Sequence, residues 1–420
     1  MKKVIKNGLV ITMDSKRDKI EKKDIVITDN IITDIVDNYD GDYDILINAK
    51  DKIVMPGLIN CHTHLGMSIF RATNDDMNLK DWLTKKIWPI EDNLTDEDMY
   101  WGTMLSVIEM IKTGTTCAND MYFGVKGALK AIKELKIRMS FSRCLINDDM
   151  NKIDEFINLC ENNDDDKITY TVTPHSLYTS NFDYLIKCKE LADKYSLPIH
   201  IHLSENMEEI EDIKNKYHKL PVEVLKDLGY LDNKLILAHC TYLDDKELEL
   251  LKDKDVSICH NPVSNLNLGC GIADITKYKK YLNICLGTDG QGSGNNLNMF
   301  YHMSMVDYLQ KGIHKDPRAV SSYEVLKMAT INGSKALGLE DKIGSIEKGK
   351  LADIIILDMN NINTIPNINI INNIVHNSFN NVDTVIIDGN ILMENKVLKI
   401  NVDEKDIINK VNEIVRRSYE

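Results

Sequence analysis

The feature that most constrains the fold is a regular alternation of short β-rich segments with helical patterns between residues 56 and 345. Eight segments are candidate strands with their ends: GLINCHTH, GTTCANDMY, RMSFSRCL, ITYTVTPHS, PIHIHLSE, LILAHC, VSICHNP and NICLGTDG. A (β/α)8 barrel requires eight strands separated by helices and takes about 250 residues. A doubly wound open sheet would alternate in the same way, so the number of segments alone does not decide between the two folds.

The placement of polar residues favours the barrel. Six of them lie at or just past the carboxyl end of a predicted strand: His62, His64, His175, His202, His239 and Asp289. Active sites of such barrels are built at this rim, from the loops that follow the strands. The sequence therefore predicts a (β/α)8 barrel with a functional site at the carboxyl ends of its strands.

The two ends of the chain have a different pattern. Residues 1–55 and 346–420 contain short β-rich pieces separated by turn residues, and Asp388-Gly389 is a predicted hairpin turn. We expect both ends to form one small β-sandwich domain beside a barrel that spans residues 56–345. The last segment, VDEKDIINKVNEIVRRSYE, has helical periodicity and predicts an amphipathic surface helix.

Composition narrows the possible partners. The formal net charge of -14 argues against nucleic acid and against an anionic membrane surface, because like charges repel. The nine cysteines are scattered singly without a Cys-x-x-Cys pair, which fits a reducing, cytoplasmic setting. Apolar runs stay well short of the roughly 20 residues of a membrane span. We expect a cytoplasmic protein that acts on a small molecule.

Histidines and one aspartate suggest a metal centre. Side chains two apart on a strand face the same way, about 6.6 Å apart, so His62 and His64 project together. Alone they could be two polar residues at the barrel mouth with ordinary hydrogen bonds. HIHLSE adds His200 or His202, and LGTDG adds Asp289. Three imidazoles and one carboxylate would leave a coordination position for water, as in catalytic metal sites.

Five motifs occur in order along the chain: PGLINCHTHLG, HIHLSEN, LAHCTYL, CHNPVSNLNLGCG and LGTDGQGSGNNLNMF. In these motifs, and over essentially its whole length, the chain resembles the amidohydrolase superfamily, and most closely its 5'-methylthioadenosine/S-adenosylhomocysteine deaminase family. The resemblance implies one divalent metal ion, zinc as the first expectation and ferrous iron or manganese as alternatives. It implies four ligands: His62, His64, His202 and Asp289. His200 is then expected to be structural.

The same resemblance implies three catalytic residues. Glu205 matches the family position that delivers a proton to the ring nitrogen of the substrate. Its alternative role is that of a solvated acid at the start of the helix SENMEEIEDIKNKY, where acids are favoured. His239 matches the residue that orients the hydroxide. Asp289 would accept a proton from the attacking water and pass it to departing ammonia.

Substrate contacts are also implied by the resemblance. Glu91 matches the acid that binds ribose hydroxyls, Trp82 would pack on the ligand, and His175 would contact purine or ribose. Arg143 would meet the carboxylate of an S-adenosylhomocysteine tail. The following loop, INDDMNKIDEF, has acids where some relatives have a second arginine, so neutral tails remain open. The substrate-binding set is Trp82, Glu91, Arg143, His175, Glu205 and Asp289.

Three functions are compatible with these residues. The first is hydrolytic deamination of an adenine nucleoside: S-adenosylhomocysteine, 5'-methylthioadenosine, 5'-deoxyadenosine or adenosine. The second uses the same metal site for guanine or cytosine deamination or for triazine dechlorination. The third is a catalytically inactive relative that serves as an assembly module. The resemblance also makes a homo-oligomer an expectation, whereas the His-Glu-x-x-His and Pro-Cys-x-x-Cys motifs of other zinc enzymes are absent.

Overall fold

The computed structural model describes residues 1–14, 20–73 and 76–419. The strands are β1 (Lys2–Ile11), β2 (Ile20–Thr28), β3 (Ile31–Val36), β4 (Ile45–Asn48), β5 (Lys52–Pro56), β6 (Leu58–Thr63), β7 (Thr115–Asp120), β8 (Arg138–Phe141), β9 (Cys144–Leu145), β10 (Ile168–Tyr170), β11 (Thr173–Pro174), β12 (Ile199–Leu203), β13 (Leu235–His239), β14 (Val256–His260), β15 (Asn283–Leu286), β16 (Ile354–Asp358), β17 (Val382–Ile387), β18 (Asn390–Glu394) and β19 (Val397–Leu398).

The α-helices are α1 (Leu79–Trp82), α2 (Trp88–Glu91), α3 (Asp96–Lys112), α4 (Val125–Leu135), α5 (Met150–Glu161), α6 (Phe182–Tyr195), α7 (Met207–Tyr217), α8 (Pro221–Asp227), α9 (Asp245–Leu251), α10 (Pro262–Asn267), α11 (Ile275–Tyr278), α12 (Gln291–Gly294), α13 (Met299–His314), α14 (Ser322–Met328), α15 (Ile331–Ala336), α16 (Ile370–Asn377) and α17 (Glu404–Tyr419). Two 3-10 turns, Leu65–Phe70 and Tyr230–Asp232, and a π-helical turn, Leu83–Ile87, accompany them. Within the described ranges, every helix is too short or too polar to cross a membrane.

Eight parallel strands form the centre of the molecule. One sheet has the order β10-β8-β7-β6 and the other the order β12-β13-β14-β15, and every pairing within them is parallel. Around the centre the strands therefore follow chain order, with a connection that includes helix between most neighbours. This is the predicted (β/α)8 barrel, and its strands are almost fully buried because helices cover the outside.

Hydrogen bonds bridge both seams between the two sheets. At one seam the N–H of His200 in β12 donates to the carbonyl of Val172 at 2.9 Å. At the other seam the N–H groups of Thr288 and Asp289, just after β15, donate to the carbonyl of His62 at 3.1 and 3.0 Å. The second seam places Asp289 beside β6 and close to His62 and His64.

Both chain ends build one nine-stranded sheet, with the path β19-β18-β17-β16-β5-β1-β2-β3 and β4 paired to β1. A register shift between Ile5 and Gly8 lets the first half of β1 pair with β4 and the second half with β5. Isoleucine-rich faces of these strands enclose a separate hydrophobic cluster. The predicted small β-sandwich domain therefore contains strands from both termini.

The turn at Asp388-Gly389 joins β17 to β18 with φ of 50° and 71° at its two residues. Positive φ at both central residues is the requirement of a two-residue hairpin turn of type I′, which Asp-Gly satisfies at low cost. The predicted hairpin is confirmed.

The terminal helix α17 packs against the barrel rather than extending from it. Ile407, Val411 and Ile414 are buried at helical spacing on one face, and Arg417 pairs with Asp98 at the start of α3 at 2.5 Å. The predicted amphipathic surface helix is confirmed. Beneath the barrel, Arg138 forms a buried bidentate pair with Asp353, with Nε to Oδ2 at 2.7 Å and Nη2 to Oδ1 at 3.1 Å.

Candidate active site

The centre of the site is Asp289. The hydrogen bonds between the segment after β15 and the carbonyl of His62 bring it next to His62 in β6 and to His64, which directly follows β6. Its Oδ1 lies 3.4 Å from Nε2 of His62 and 3.0 Å from Nε2 of His64. Oδ2 accepts hydrogen bonds from the hydroxyls of Ser264 at 2.6 Å and Ser293 at 2.8 Å. Burial alone would raise the pKa of Asp289, but the adjacent rings of His62 and His64 hold it well below the usual value. The carboxyl group is therefore ionised.

Three imidazoles around Asp289 have a defined tautomer because their Nδ1 atoms donate to oxygen acceptors. His64 donates to the carbonyl of Met121, and His202 donates to the carbonyl of His175 at 2.8 Å. His239 donates to Oδ1 of Asn265 at 2.7 Å. In a neutral ring, a proton on Nδ1 leaves the lone pair on Nε2, which is the form in which imidazole binds a metal ion.

The ligand atoms of these side chains form two overlapping groups within 4.8 Å: His62, His64 and Asp289, and His62, His202 and His239. His62 belongs to both groups, and its Nε2 is buried without a hydrogen bond among the described residues. Burial lowers the pKa of His62 to about 4 and that of His202 well below 6.5, so both rings are neutral. This donor set fits a divalent metal ion.

The negative charge of Asp289 changes the pKa of His64. Burial alone would lower the pKa of His64, yet the hydrogen bond and charge of Asp289 raise it to about 8. At His62 the loss of hydration on burial outweighs the same carboxylate, and the pKa falls instead. A cation between them satisfies the same attraction.

His200, expected to be structural, lies directly behind His62. Its Nε2 is 3.0 Å from Nδ1 of His62, and its Nδ1 is 2.8 Å from Nδ2 of Asn119. The ring is fully buried and belongs to neither of the two groups of ligand atoms. His200 therefore orients His62 and does not compete with His202 for a place in the cluster.

Glu205 follows β12 by two residues and is 6% exposed, so it is not a solvated helix-capping acid. Its Oε1 lies 3.6 Å from Nδ1 of His239 and accepts from Sγ of Cys270 at 3.8 Å. Burial raises the pKa of Glu205 above its usual value. The side chain can hold a proton beside the cluster.

A cavity above this cluster encloses about 610 Å³ of empty space, part of which is open to solvent. Its floor includes His64, His202, His239 and Asp289, and its walls are largely apolar. Apolar walls with a few fixed polar groups are typical of a binding site for a small molecule.

The structure brings Trp82, Glu91 and His175 to the cavity wall as the sequence predicts. The hydroxyl of Tyr122 donates to Oε1 of Glu91. Burial raises the pKa of Glu91 to about 7, which this bond only partly offsets. Burial also lowers the pKa of His175 to about 3, so this ring is a neutral wall residue.

Arg143 is the predicted contact that does not line this cavity. Its Nε pairs with Oε2 of Glu155 at 2.7 Å, and its guanidinium lies 5.1 Å from the centre of the Phe123 ring. It faces an adjoining cavity, which shares Trp88, Glu91, Phe123 and Ile146 with the first. The segment INDDMNKIDEF, expected to be a loop, is helical from Met150, and its acid Glu155 in α5 engages the arginine.

Sequence reasoning did not identify the groups that orient the predicted ones. Asn265 holds His239, Ser264 and Ser293 hold Asp289, and Tyr122 holds Glu91. Three of these four lie inside quoted motifs, CHNPVSNLNLGCG and LGTDGQGSGNNLNMF. Their location inside these motifs indicated that they lie near the site. A motif, however, does not specify which side chain contacts which partner.

Comparison with known proteins agrees with this geometry. The model of the amidohydrolase family matches residues 53–392. A 5-methylthioadenosine/S-adenosylhomocysteine deaminase of Acetivibrio thermocellus is 40% identical over 99% of each chain, and a 5'-deoxyadenosine deaminase of Methanocaldococcus jannaschii is 40% identical over 88% of this chain and 90% of its own.

Among solved structures, an adenosine deaminase from Xanthomonas campestris with bound zinc superposes with a TM-score of 0.95. It is 28% identical and covers 99% of this chain and 98% of its own. The match over nearly the whole chain supports the same barrel fold. The chain belongs to the amidohydrolase family.

Proposed function

We propose that this protein is a metal-dependent deaminase that converts the 6-amino group of an adenine nucleoside to a carbonyl and releases ammonia. The single observation that carries the proposal is the buried carboxyl group of Glu205 beside the His-Asp cluster at the floor of a cavity with largely apolar walls. The relatives named as deaminases of 5'-substituted adenosines support the substrate class.

The proposed metal ligands are His62, His64, His202 and Asp289, and the proposed ion is zinc. Imidazole and carboxylate also suit ferrous iron or manganese, so metal availability contributes to the choice. A bound divalent ion lowers the pKa of water from 15.7 towards about 7, which makes hydroxide available at neutral pH. His239 is proposed to orient the attacking oxygen, with its ring held by the bond between Nδ1 and Oδ1 of Asn265 at 2.7 Å.

The protein residues then move protons. Asp289 accepts one proton from the attacking water as the oxygen bonds to ring carbon C6. Glu205 delivers a proton to the adjacent ring nitrogen, a transfer that its pKa, raised by burial, favours. The bond from C6 to the exocyclic nitrogen breaks, and the proton held by Asp289 leaves with ammonia. The proton that remained on the attacking oxygen returns to Glu205 as the carbonyl forms, which restores the starting protonation state. The sum is water plus amine giving carbonyl plus ammonia.

The cavity wall supplies substrate contacts in this proposal. Trp82 packs on the ligand, Glu91 accepts from the ribose hydroxyls, and His175 contacts the purine or ribose. The adjoining cavity with Arg143 lies beside Glu91, so it is placed to take the 5'-substituent. Since Glu155 already engages Arg143, both charged and neutral 5'-substituents are kept as substrates.

A substrate panel tests the proposal. We expect loss of adenine absorbance and release of ammonia with S-adenosylhomocysteine, 5'-methylthioadenosine, 5'-deoxyadenosine or adenosine, and much lower kcat/KM with guanine, cytosine and atrazine. Equal or better rates on the second group would replace the proposal with another reaction of the same metal site.

Metal analysis tests the enzyme against an inactive assembly module. Protein purified without chelator should carry stoichiometric metal, and chelator treatment should abolish turnover reversibly. Protein that carries no metal and gains no activity with zinc, iron or manganese would overturn the proposal.

A further inference from the structure

Glu209 is a buried carboxyl group behind Glu205 for which the proposed reaction provides no role. It lies in the first turn of α7 and is 5% exposed. Its Oε1 accepts from the backbone N–H of Ser204 at 3.0 Å, and its Oε2 accepts from the N–H of Glu205 at 2.8 Å. One carboxylate therefore holds both amides of the turn that carries Glu205.

These bonds differ from ordinary helix capping. In a capping box, the acid at the third helical position bonds the N–H of the N-cap residue itself. The N-cap of α7 is Asn206, whose Oδ1 already accepts from the N–H of Glu209 at 2.8 Å. Glu209 reaches past Asn206 to the two residues before it. Asn206 caps the helix, and the carboxylate of Glu209 is directed at Glu205.

The turn itself needs such support. Ser204 has a φ of 51°, in the left-handed region that a residue with a side chain adopts at a cost. Backbone of this kind persists where surrounding contacts hold it, and it clusters at functional sites. The hydrogen bond from Ser204 N–H to Glu209 is such a contact. The path of the chain from β12 into Glu205 therefore depends on Glu209.

We propose that Glu209 is a positioning residue for Glu205, the proton donor of the proposed function on which this inference rests. Without its two acceptor oxygens, both amides lose their partners and the Glu205 carboxyl group can shift from the ring nitrogen that it protonates. A displacement of about 1 Å at a reacting group can cost about 10²-fold in rate.

Steady-state kinetics of Glu209→Gln and Glu209→Ala test the proposal. Glutamine keeps the shape and one acceptor oxygen, so we expect kcat to fall about 10-fold, and about 100-fold for alanine. KM should stay within about twofold and metal content should be unchanged, because neither the wall nor the ligands are touched. Glu211→Gln, an exposed position on the same helix, is the matched control. Unchanged kcat in Glu209→Gln, or a change in KM alone, overturns the proposal.

A double-variant cycle separates positioning from general destabilisation. In a Glu205→Gln background the further change Glu209→Gln should cost nothing, because the group that it positions is already gone. An equal further loss in that background would mean a general structural role and would overturn the proposal.

Amide hydrogen exchange gives a measure that does not depend on turnover. The amides of Ser204 and Glu205 should exchange faster in Glu209→Ala than in the unaltered protein, and equal exchange overturns the proposal. If the unaltered protein deaminates no adenine nucleoside, the proposed function fails and the catalytic role of Glu209 fails with it. If it deaminates but the variants match it, only the role of Glu209 fails.

Discussion

The floor and the wall of the cavity are built in different ways. On the floor, His64, His202 and His239 lie at strand ends, and each is fixed by a hydrogen bond to an oxygen of a neighbouring segment. On the wall, Trp82 and Glu91 come from the short helices α1 and α2, and in the adjoining cavity Arg143 comes from the break between β8 and β9. Rigid strands hold the residues proposed for chemistry, and variable connections hold those proposed for substrate choice.

The largest effect is expected from the floor. His64→Ala should lose the metal and lower activity by at least about 10³-fold, because a bound metal supplies several kcal/mol of catalysis. Metal analysis of the purified variant checks this result, with His314→Ala on the partly exposed outer face of α13 as the control. A His64→Ala protein with full metal and activity would remove His64 from the ligand set.

Glu205→Gln should keep the metal and lower kcat by about 10²- to 10⁴-fold, the usual contribution of a general acid or base. Glu208→Gln, at an exposed neighbouring position, should retain normal turnover. The comparison of metal content with kcat separates the proton donor from the ligands. Normal turnover by Glu205→Gln would refute its role in proton transfer.

Replacing His200, which lies behind His62, should have an intermediate effect. His200→Leu removes the ring that contacts Nδ1 of His62, and loss of such a partner typically weakens metal affinity by about 10- to 100-fold. Chelator competition measures this affinity, and excess zinc should restore activity. An unchanged metal affinity would mean that His200 only fills space.

On the wall, Glu91 should give the protein a pH dependence. With a pKa raised to about 7, the carboxyl group is mostly protonated below that pH and ionised above it. Because the ionised form accepts from ribose hydroxyls, kcat/KM should fall as pH drops through about 7, by roughly tenfold per unit well below it. Glu91→Gln should lower kcat/KM at pH 8 and remove this limb of the profile. If kcat/KM of the variant still falls below about pH 7, the titration of another group causes the fall.

The smallest effect is expected at Glu155. Its pair with Arg143 is partly exposed, so Glu155→Gln should change the free energy of unfolding by less than about 1 kcal/mol. Released from this acid, Arg143 should favour a carboxylate tail, and the preference for S-adenosylhomocysteine over 5'-methylthioadenosine in kcat/KM should rise up to about fivefold. An unchanged preference would show that Arg143 does not contact the tail.

The floor was more predictable from the sequence than the wall. His62 and His64 share a strand face because side chains alternate, and Asp289 follows a strand between glycines, so local patterns place them at the rim. Trp82 and Glu91 were placed through the family resemblance. The contact of Arg143 with Glu155 was not predictable, since a loop position does not define the direction of a long side chain.

By itself, the sequence determined the alternation of strands and helices, the chemical types at the strand ends and the periodicity of the terminal helix. These are local properties, set by residue spacing along one element. Only the tertiary structure decided that His200 contacts His62, that Asn265 sets the tautomer of His239, and that Tyr122 faces Glu91. Those pairs lie on different elements, and which side chains meet depends on how strands and loops pack around the closed barrel.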